Sequence, residues 1–402
     1  MFAAFVRQFR RWMGEANMVL HWGVPAIVGG LALAGSPVRA ADYQPVACTA
    51  AKPYVGPSIH APIVAARPPV APEAAFDART TAALDAAFAK AKTATAAPAM
   101  TAAVFAPGRG FWSRDEAGDG RPLLFWASAG KTFTATVILQ LADEGRLSLS
   151  DPVAKWAPGV PNGDVITVRD LLAHTSGLFS ANEDLKARAA HRAFSLEEDL
   201  AIVRRHRAMF CPGERWRYSN TGYALLGAII EKVDGRAYGD AITARIIAPL
   251  ALKRMRVVRP SEAGDDISAL TSAKEAPIEP SWAGAAGPIA ASADDMVRFW
   301  TALLDGRLLK PETVQAMLSA PYPMFDAGTF YGLGVMAFEV PQPDGAKALW
   351  LGHAGGTPGA GAVVFYAPAD RTFVAVALTG DGSATATANL LLTQSRDASI
   401  KP

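Results

Sequence analysis

The order in which strand-like and helix-like segments follow one another most constrains how this chain can fold. A helical stretch at 76–94, "FDARTTAALDAAFAKAKTA", leads into two short β-like segments, "AMTAAVFAP" and "GFWSR", separated by Gly and Pro. From there to about residue 318 the signals are helical: "ITVRDLLAH", "LEEDLAIVRRH", "TGYALLGAIIEKV" and "ADDMVRFWTALLDG". Strand-like runs return in "YGLGVMAFEV", "ALWLGHAG", "GAVVFYAP" and "RTFVAVALTG", and a helix near 384–395 closes the pattern. Strands, a long helical block and strands again predict one sheet interrupted by an inserted helical lobe, with a cleft between the two. With 50% hydrophobic and 19% charged residues, a chain of 402 residues has ample material for such a core.

The first forty residues are of another kind. Arg7, Arg10 and Arg11 precede the apolar run "VPAIVGGLALA", and Val38 and Ala40 occupy the small-residue positions of a cleavage site. This predicts a signal peptide at 1–40, cleaved after Ala40, and a periplasmic or secreted protein. An uncleaved anchor ranks second, because Pro25 and two glycines break a run already short for a span. Residues 41–75 read as a Pro/Ala-rich extended linker, and 76–397 as the domain, with the helical lobe at about 128–318. Without residues 1–40 the chain has 35 basic and 36 acidic residues, so its apparent basicity belongs to the signal. Nothing suggests a nucleic-acid or anionic-lipid footprint. Cys48 and Cys211, the two cysteines, can pair in an oxidising compartment, which the sequence leaves open.

Two chemistries compete at "FWASAGKTFT" (125–134). A phosphate-binding loop needs a glycine where Phe125 stands, so the nucleotide reading fails. The alternative is a nucleophile, Ser128, with a basic Lys131 three residues on. A hydroxyl needs a base within hydrogen-bond reach, and positions i and i+3 share a helix face. A buried helix over Ser128–Glu144, ended by Gly145, places the Ser128 N–H among the unpaired donors at the positive end of the dipole. Small Ala129 and Gly130 are expected to let a substrate backbone approach.

At "YSN" (218–220) a second helix begins, with Ser219 or Asn220 available as cap. A phenol beside a lysine ammonium has its anion favoured, so Tyr218 near Lys131 can take the Ser128 proton, while Asn220 can orient a substrate carbonyl. The third element is "LGHAGGTPG" (351–359), where glycines after His353 let a backbone N–H face a ligand. Each alone has an ordinary structural explanation: a chance surface pair, a packed tyrosine beside a cap, a structural histidine. Their joint occurrence in this order does not.

These elements resemble the serine β-lactamase and D-alanyl-D-alanine peptidase superfamily, in particular its class C-like branch, which also holds carboxylesterases. The resemblance covers roughly residues 76–396 and rests on S-A-G-K at 128–131, Y-S-N at 218–220 and H-A-G at 353–355. The segments at 142–158, 166–178 and 285–304 support it. It implies an α/β (α+β) fold: a central antiparallel sheet flanked by N- and C-terminal helices, with an inserted all-helical lobe. It also implies that Ser128 is acylated, that Lys131 and Tyr218 activate it, that Asn220, His353 and Gly355 contact substrate, and that the Ser128 and Gly356 amides form the oxyanion hole. His174, in "AHTSG", is read as structural.

Two departures bear on the substrate. His353 stands where class C β-lactamases carry Lys and several esterases carry Trp, and Ala354 stands where Thr is frequent. A neutral histidine holds a carboxylate less strongly than an ammonium. The expected activity is therefore that of a carboxylesterase or D-Ala-D-Ala peptidase on a small ester, peptide or β-lactam substrate, with peptidoglycan a candidate partner. A class C-type β-lactamase and a catalytically silent penicillin- or peptidoglycan-binding module are the alternatives; intact Ser128, Lys131 and Tyr218 oppose the second. No cofactor is called for, and six scattered histidines without H-E-x-x-H give no metal site.

Overall fold

The structure is a computed structural model that describes residues 46–64, 74–190, 192–260, 264–341 and 345–400. The expected signal at 1–40 lies outside the described residues. Helix α1 (Ala78–Thr95) starts where Asp77 accepts the Thr80 N–H at 2.9 Å, and it stops at Ala96 in the left-handed region. It is followed by β1 (Ala99–Ala106), β2 (Gly110–Ala117) and the short β3 (Leu124–Phe125).

A mainly helical insert follows. It comprises α2 (Lys131–Asp143), α3 (Val168–Ala173), α4 (Leu185–Ala189), α5 (Leu196–His206), α6 (Asn220–Asp234) and α7 (Tyr238–Ile242). Strands β4 (Met255–Val257) and β5 (Ile289–Ala291) then precede α8 (Ala293–Leu304) and α9 (Pro311–Met317). The chain returns through β6 (Tyr322–Pro323), β7 (Thr329–Tyr331), β8 (Met336–Pro341), β9 (Lys347–Thr357), β10 (Ala360–Ala367) and β11 (Thr372–Thr379), and ends in α10 (Ala384–Ile400).

Among the described residues the main sheet is antiparallel, in the order β2-β1-β11-β10-β9-β8-β7-β6, so the first and last thirds of the domain meet at β1 and β11. Both faces of its centre are covered, which is why these strands read as apolar runs rather than alternations. Met100, Ala102, Val104, Val374, Val376 and Leu378 face a core shared with α1 and α10. Ala103, Phe105, Phe373, Ala375 and Ala377 face the core that contains Phe299 of α8 and most of the insert.

The insert departs from the expected all-helical lobe. Strands β3, β5 and β4 form a second, three-stranded sheet. At two or three residues each, they are too short to show a period of two in the sequence. This small sheet sets the site, because the chain leaves β3 directly into the turn that carries Ser128.

Candidate active site

Ser128 lies in a 3₁₀ turn, Ala127–Gly130, ahead of α2 rather than in its first turn as expected. The chain must reverse direction between β3 and α2 within a few residues. Trp126 anchors the entry: its N–H donates to Ile289 O at 2.9 Å and its indole N–H to Ala291 O at 3.0 Å. Ala127 then takes φ +45°, a left-handed conformation costly for a residue with a Cβ.

Two glycine backbones hold this turn from either side. A Cβ on Gly355 would fall 2.2 Å from Trp126 O and 2.8 Å from Ser128 N, and one on Gly287 would fall 2.3 Å from Ala127 O. Gly355, expected to contact substrate, thus brings β9 against the amide of the serine. A Cβ on Gly130 would fall 2.9 Å from Gly287 Cα. Gly130 is therefore small to admit a neighbouring backbone, and Ala129 is buried, so neither opens onto a substrate, contrary to expectation.

The 3₁₀ turn also eclipses i and i+3. Lys131 Nζ lies 3.1 Å from Ser128 Oγ and donates to Asn220 Oδ1 at 2.6 Å and Ala286 O at 2.7 Å. Lys131 is fully buried, and burial holds its ammonium well below the usual lysine range. The two shorter contacts hold the amine in place and keep it turned toward the serine hydroxyl.

Tyr218 comes together with this pair as expected, with its ring 4.7 Å from Lys131 Nζ. Its electrostatics differ from the reading of an ionised phenol. Burial pushes the phenol above its ordinary range, and the Ser128 hydroxyl opposes this only in part. The Tyr218 hydroxyl is buried beside Ser128 without a hydrogen bond of normal geometry. Desolvation is the largest influence on the phenol and decides the sign.

Ser219 is the N-cap of α6, accepting from Gly222 N at 3.4 Å, which leaves Asn220 free for the site. The Asn220 amide is held at both ends: Oδ1 accepts from Lys131, and Nδ2 donates to Asn182 Oδ1 at 3.1 Å. Asn182 also accepts from Ser180 Oγ at 2.6 Å, and Ser180 Oγ accepts the Asn220 N–H at 2.9 Å. Ser180, Asn182 and Ala286 were not singled out in the sequence; only the fold brings them beside 131 and 220.

His353 is buried at the far side of this group. Its Nδ1 meets Ala354 O at 2.7 Å, and its Nε2 meets the Tyr331 hydroxyl at 3.1 Å. Burial and the neighbouring Lys131 push its pKa down to about 3, so it is neutral and both nitrogens are engaged. His174 is more involved than a packing role implies. Its carbonyl accepts the Arg217 N–H at 2.9 Å and its Nδ1 accepts the Ser219 N–H at 3.2 Å, so the residues on both sides of Tyr218 are held by His174. Its ring lies 4.3 Å from that of Tyr218 and 4.6 Å from that of Tyr331. A separate open depression of about 560 Å³, beside Asp143, Glu144 and Lys310, lies at the opposite end of α2, away from this chemistry.

Residues 84–395 match the family model described as Beta-lactamase. The chain belongs to the Beta-lactamase family. It is 30% identical over 235 residues to the putative penicillin-binding protein PbpX of Bacillus subtilis (strain 168), a match that covers 56% of this chain and 57% of that protein. The chain thus spans just over half the length of that curated relative. Among solved structures, it is similar to a D-stereospecific amidohydrolase from Streptomyces sp., with 32% identity, a TM-score of 0.65 and coverage of 80% of this chain and 98% of the other. D-amino acid amidase from Ochrobactrum anthropi SV3 shares the fold, at 23% identity and a TM-score of 0.68 over 80% of this chain and 98% of that one. The chain is therefore a β-lactamase-fold serine hydrolase of the acyl-enzyme type. No helix among the described residues is long and apolar enough to cross a membrane.

Proposed function

We propose that this hydrolase cleaves neutral amides and esters through a Ser128 acyl-enzyme, with D-amino-acid amides as the amide class to test first. The observation that carries the reading is His353. At the position where a β-lactamase of class C carries a cation, this chain has a neutral imidazole with both nitrogens occupied. It offers no charge-assisted donor to a substrate carboxylate. Substrates that depend on such an anchor, cephalosporins and peptides ending in D-Ala-D-Ala, are accordingly disfavoured. The 32% identical amidohydrolase, named for D-stereospecificity, supports the amide arm.

In the proposed cycle neutral Lys131 takes the Ser128 proton as Oγ attacks the carbonyl carbon. The Ser128 and Gly356 amides receive the oxyanion. Tyr218, a neutral phenol, protonates the departing nitrogen or oxygen and is reprotonated from the Lys131 ammonium. Water, activated by the same lysine, then releases the acid. The Cys48–Cys211 disulfide is consistent with an exported protein. The test is a panel of p-nitrophenyl acetate, D-phenylalanine amide and a chromogenic cephalosporin, run on wild type and Ser128→Ala with intact-mass detection of the adduct. The expected order is ester and amide above cephalosporin, with no adduct in Ser128→Ala. A cephalosporin turned over far better than both others overturns the proposal.

A further inference from the structure

Residues 46–64 carry no helix or strand, as their Pro/Ala-rich composition suggests, yet they are fastened along their length. The Cys48–Cys211 disulfide ties one end to the segment that leads into Tyr218. Lys52 N donates to Pro212 O at 2.9 Å and Val55 N to Glu214 O at 2.7 Å. The chain then crosses to the sheet edge, where His60 N donates to Pro321 O at 2.9 Å and Ile63 N to Leu318 O at 3.0 Å. The Tyr54 ring meets that of Tyr322 on β6 edge-on at 5.1 Å. This strap, which lies outside the 84–395 family match, therefore bridges the helical insert and the sheet, the two walls of the cleft.

Under the strap lies a cavity of about 260 Å³ lined by Tyr54, Val55 and Pro57, with Trp216, Met324 and the guanidinium-bearing Arg215 opposite, so its lining is mixed aromatic and polar. Trp216 connects it to the site: its ring lies 6.4 Å from that of Tyr218. Phe325, 55% exposed, lies 5.7 Å from Trp216 and 6.2 Å from Tyr218, so Trp216 and Phe325 lie between the ring of Tyr218 and the cavity. The volume is below that of a pocket enclosing a whole small molecule, roughly 300 Å³ or more, and suits one substituent of a larger substrate.

We propose that the strap completes a terminal subsite for an aromatic or branched apolar group of the substrate, remote from the scissile bond, and that the Cys48–Cys211 disulfide keeps this subsite formed. The proposal rests on the Ser128 hydrolase reading. Neither wall alone encloses the cavity; the strap supplies its third side. An apolar group entering it is desolvated against Trp216 and Tyr54, and the gain appears as a preference among substrates rather than as a higher rate on all of them.

The test compares kcat/KM for two matched pairs. One is p-nitrophenyl acetate against p-nitrophenyl 4-phenylbutyrate, for the acyl side. The other is D-alanine amide against its N-phenylpropyl amide, for the leaving side. The variants are Val55→Asp, which puts a charge on an already exposed lining residue, Tyr54→Ala, and Cys48→Ser with Cys211→Ser. In at least one pair, the ratio of aryl to small substrate should fall about tenfold or more in each variant, with the small substrate changed less than about twofold. A ratio unmoved in all three, or both members of each pair falling in step, overturns the proposal. If Ser128→Ala leaves hydrolysis intact while the ratio still depends on the strap, the Ser128 reading fails and the subsite stands.

Discussion

Replacing His174 by Ala tests whether the placement of Tyr218 depends on this one residue. The substitution leaves the His174 carbonyl and its bond from Arg217 N in place but removes the acceptor for Ser219 N, a buried donor. An unpartnered buried N–H costs about 1–3 kcal/mol. The ring also fills space among Tyr218, Tyr223 and Tyr331, and emptying such a site adds roughly 2 kcal/mol or more. Residue 174 has φ +60°, a strain that histidine and alanine share because both carry a Cβ. The expected loss of stability is thus about 3–5 kcal/mol, which lowers the melting temperature markedly without exhausting the stability of a large domain. Asparagine tolerates the left-handed conformation and has a side-chain acceptor, so His174→Asn should recover part of both stability and rate. A displacement of Tyr218 by about 1 Å can cost on the order of a hundredfold in kcat. The assay is kcat and KM on p-nitrophenyl acetate, repeated in a Tyr218→Phe background with acylation followed by mass in a single turnover. If His174 acts through Tyr218, its replacement slows the wild type strongly and the Tyr218→Phe protein little. Equal slowing in both backgrounds, or a folded His174→Ala protein within about threefold of wild type, refutes the reasoning.

Three further outcomes follow from the same geometry. Both His174 and His353 have folded pKa values below 6.5, so the unfolded chain binds their protons first as pH falls. Stability should therefore be full above pH 6.5 and decline below it by up to about 1.4 kcal/mol per pH unit per histidine, read from denaturant midpoints between pH 7.5 and 5; a flat profile contradicts two buried neutral imidazoles. Gly355→Ala places a Cβ 2.2 Å from Trp126 O and should abolish acylation even where the protein still folds, which intact-mass labelling with a fluorophosphonate can check. Replacing His353 by Lys together with Ala354 by Thr should raise the cephalosporin-to-ester ratio of kcat/KM by roughly ten- to a hundredfold, provided the charge-assisted bond forms in the transition state; an unchanged ratio means residue 353 does not set the carboxylate preference.

The long elements were legible because they are long: α1, α6, α8, β10 and β11 each carry enough residues for a periodicity or an unbroken apolar run to declare itself. Ser128, Lys131, Tyr218 and Asn220 were legible for a different reason, since each belongs to a short motif in which residue type and spacing carry the chemistry. What the motifs did not carry is the state of those groups. Pairwise reasoning puts an ammonium at Lys131 and draws a phenolate at Tyr218 towards it, whereas burial lowers the lysine and raises the phenol, which reverses the expectation for Tyr218. The position of Lys131 is set by Ala286 O and Asn220 Oδ1, 155 and 89 residues away, which accept from it and hold it beside Ser128. The same distance hides His174 behind an ordinary helix end, because its partners at 217 and 219 are set by the fold. Pro/Ala-rich composition, likewise, reports the absence of regular structure in 46–64 and is silent on contact, since proline-rich chain can lie as closely on a surface as any strand while offering few backbone donors. The strap uses the donors it has, at Lys52, Val55, His60 and Ile63, and spends them on the two walls of the cleft. On the proposed reading, the motif residues determine which bond is broken, and the residues the motifs leave out determine how the lysine and the phenol are held and how far the substrate extends.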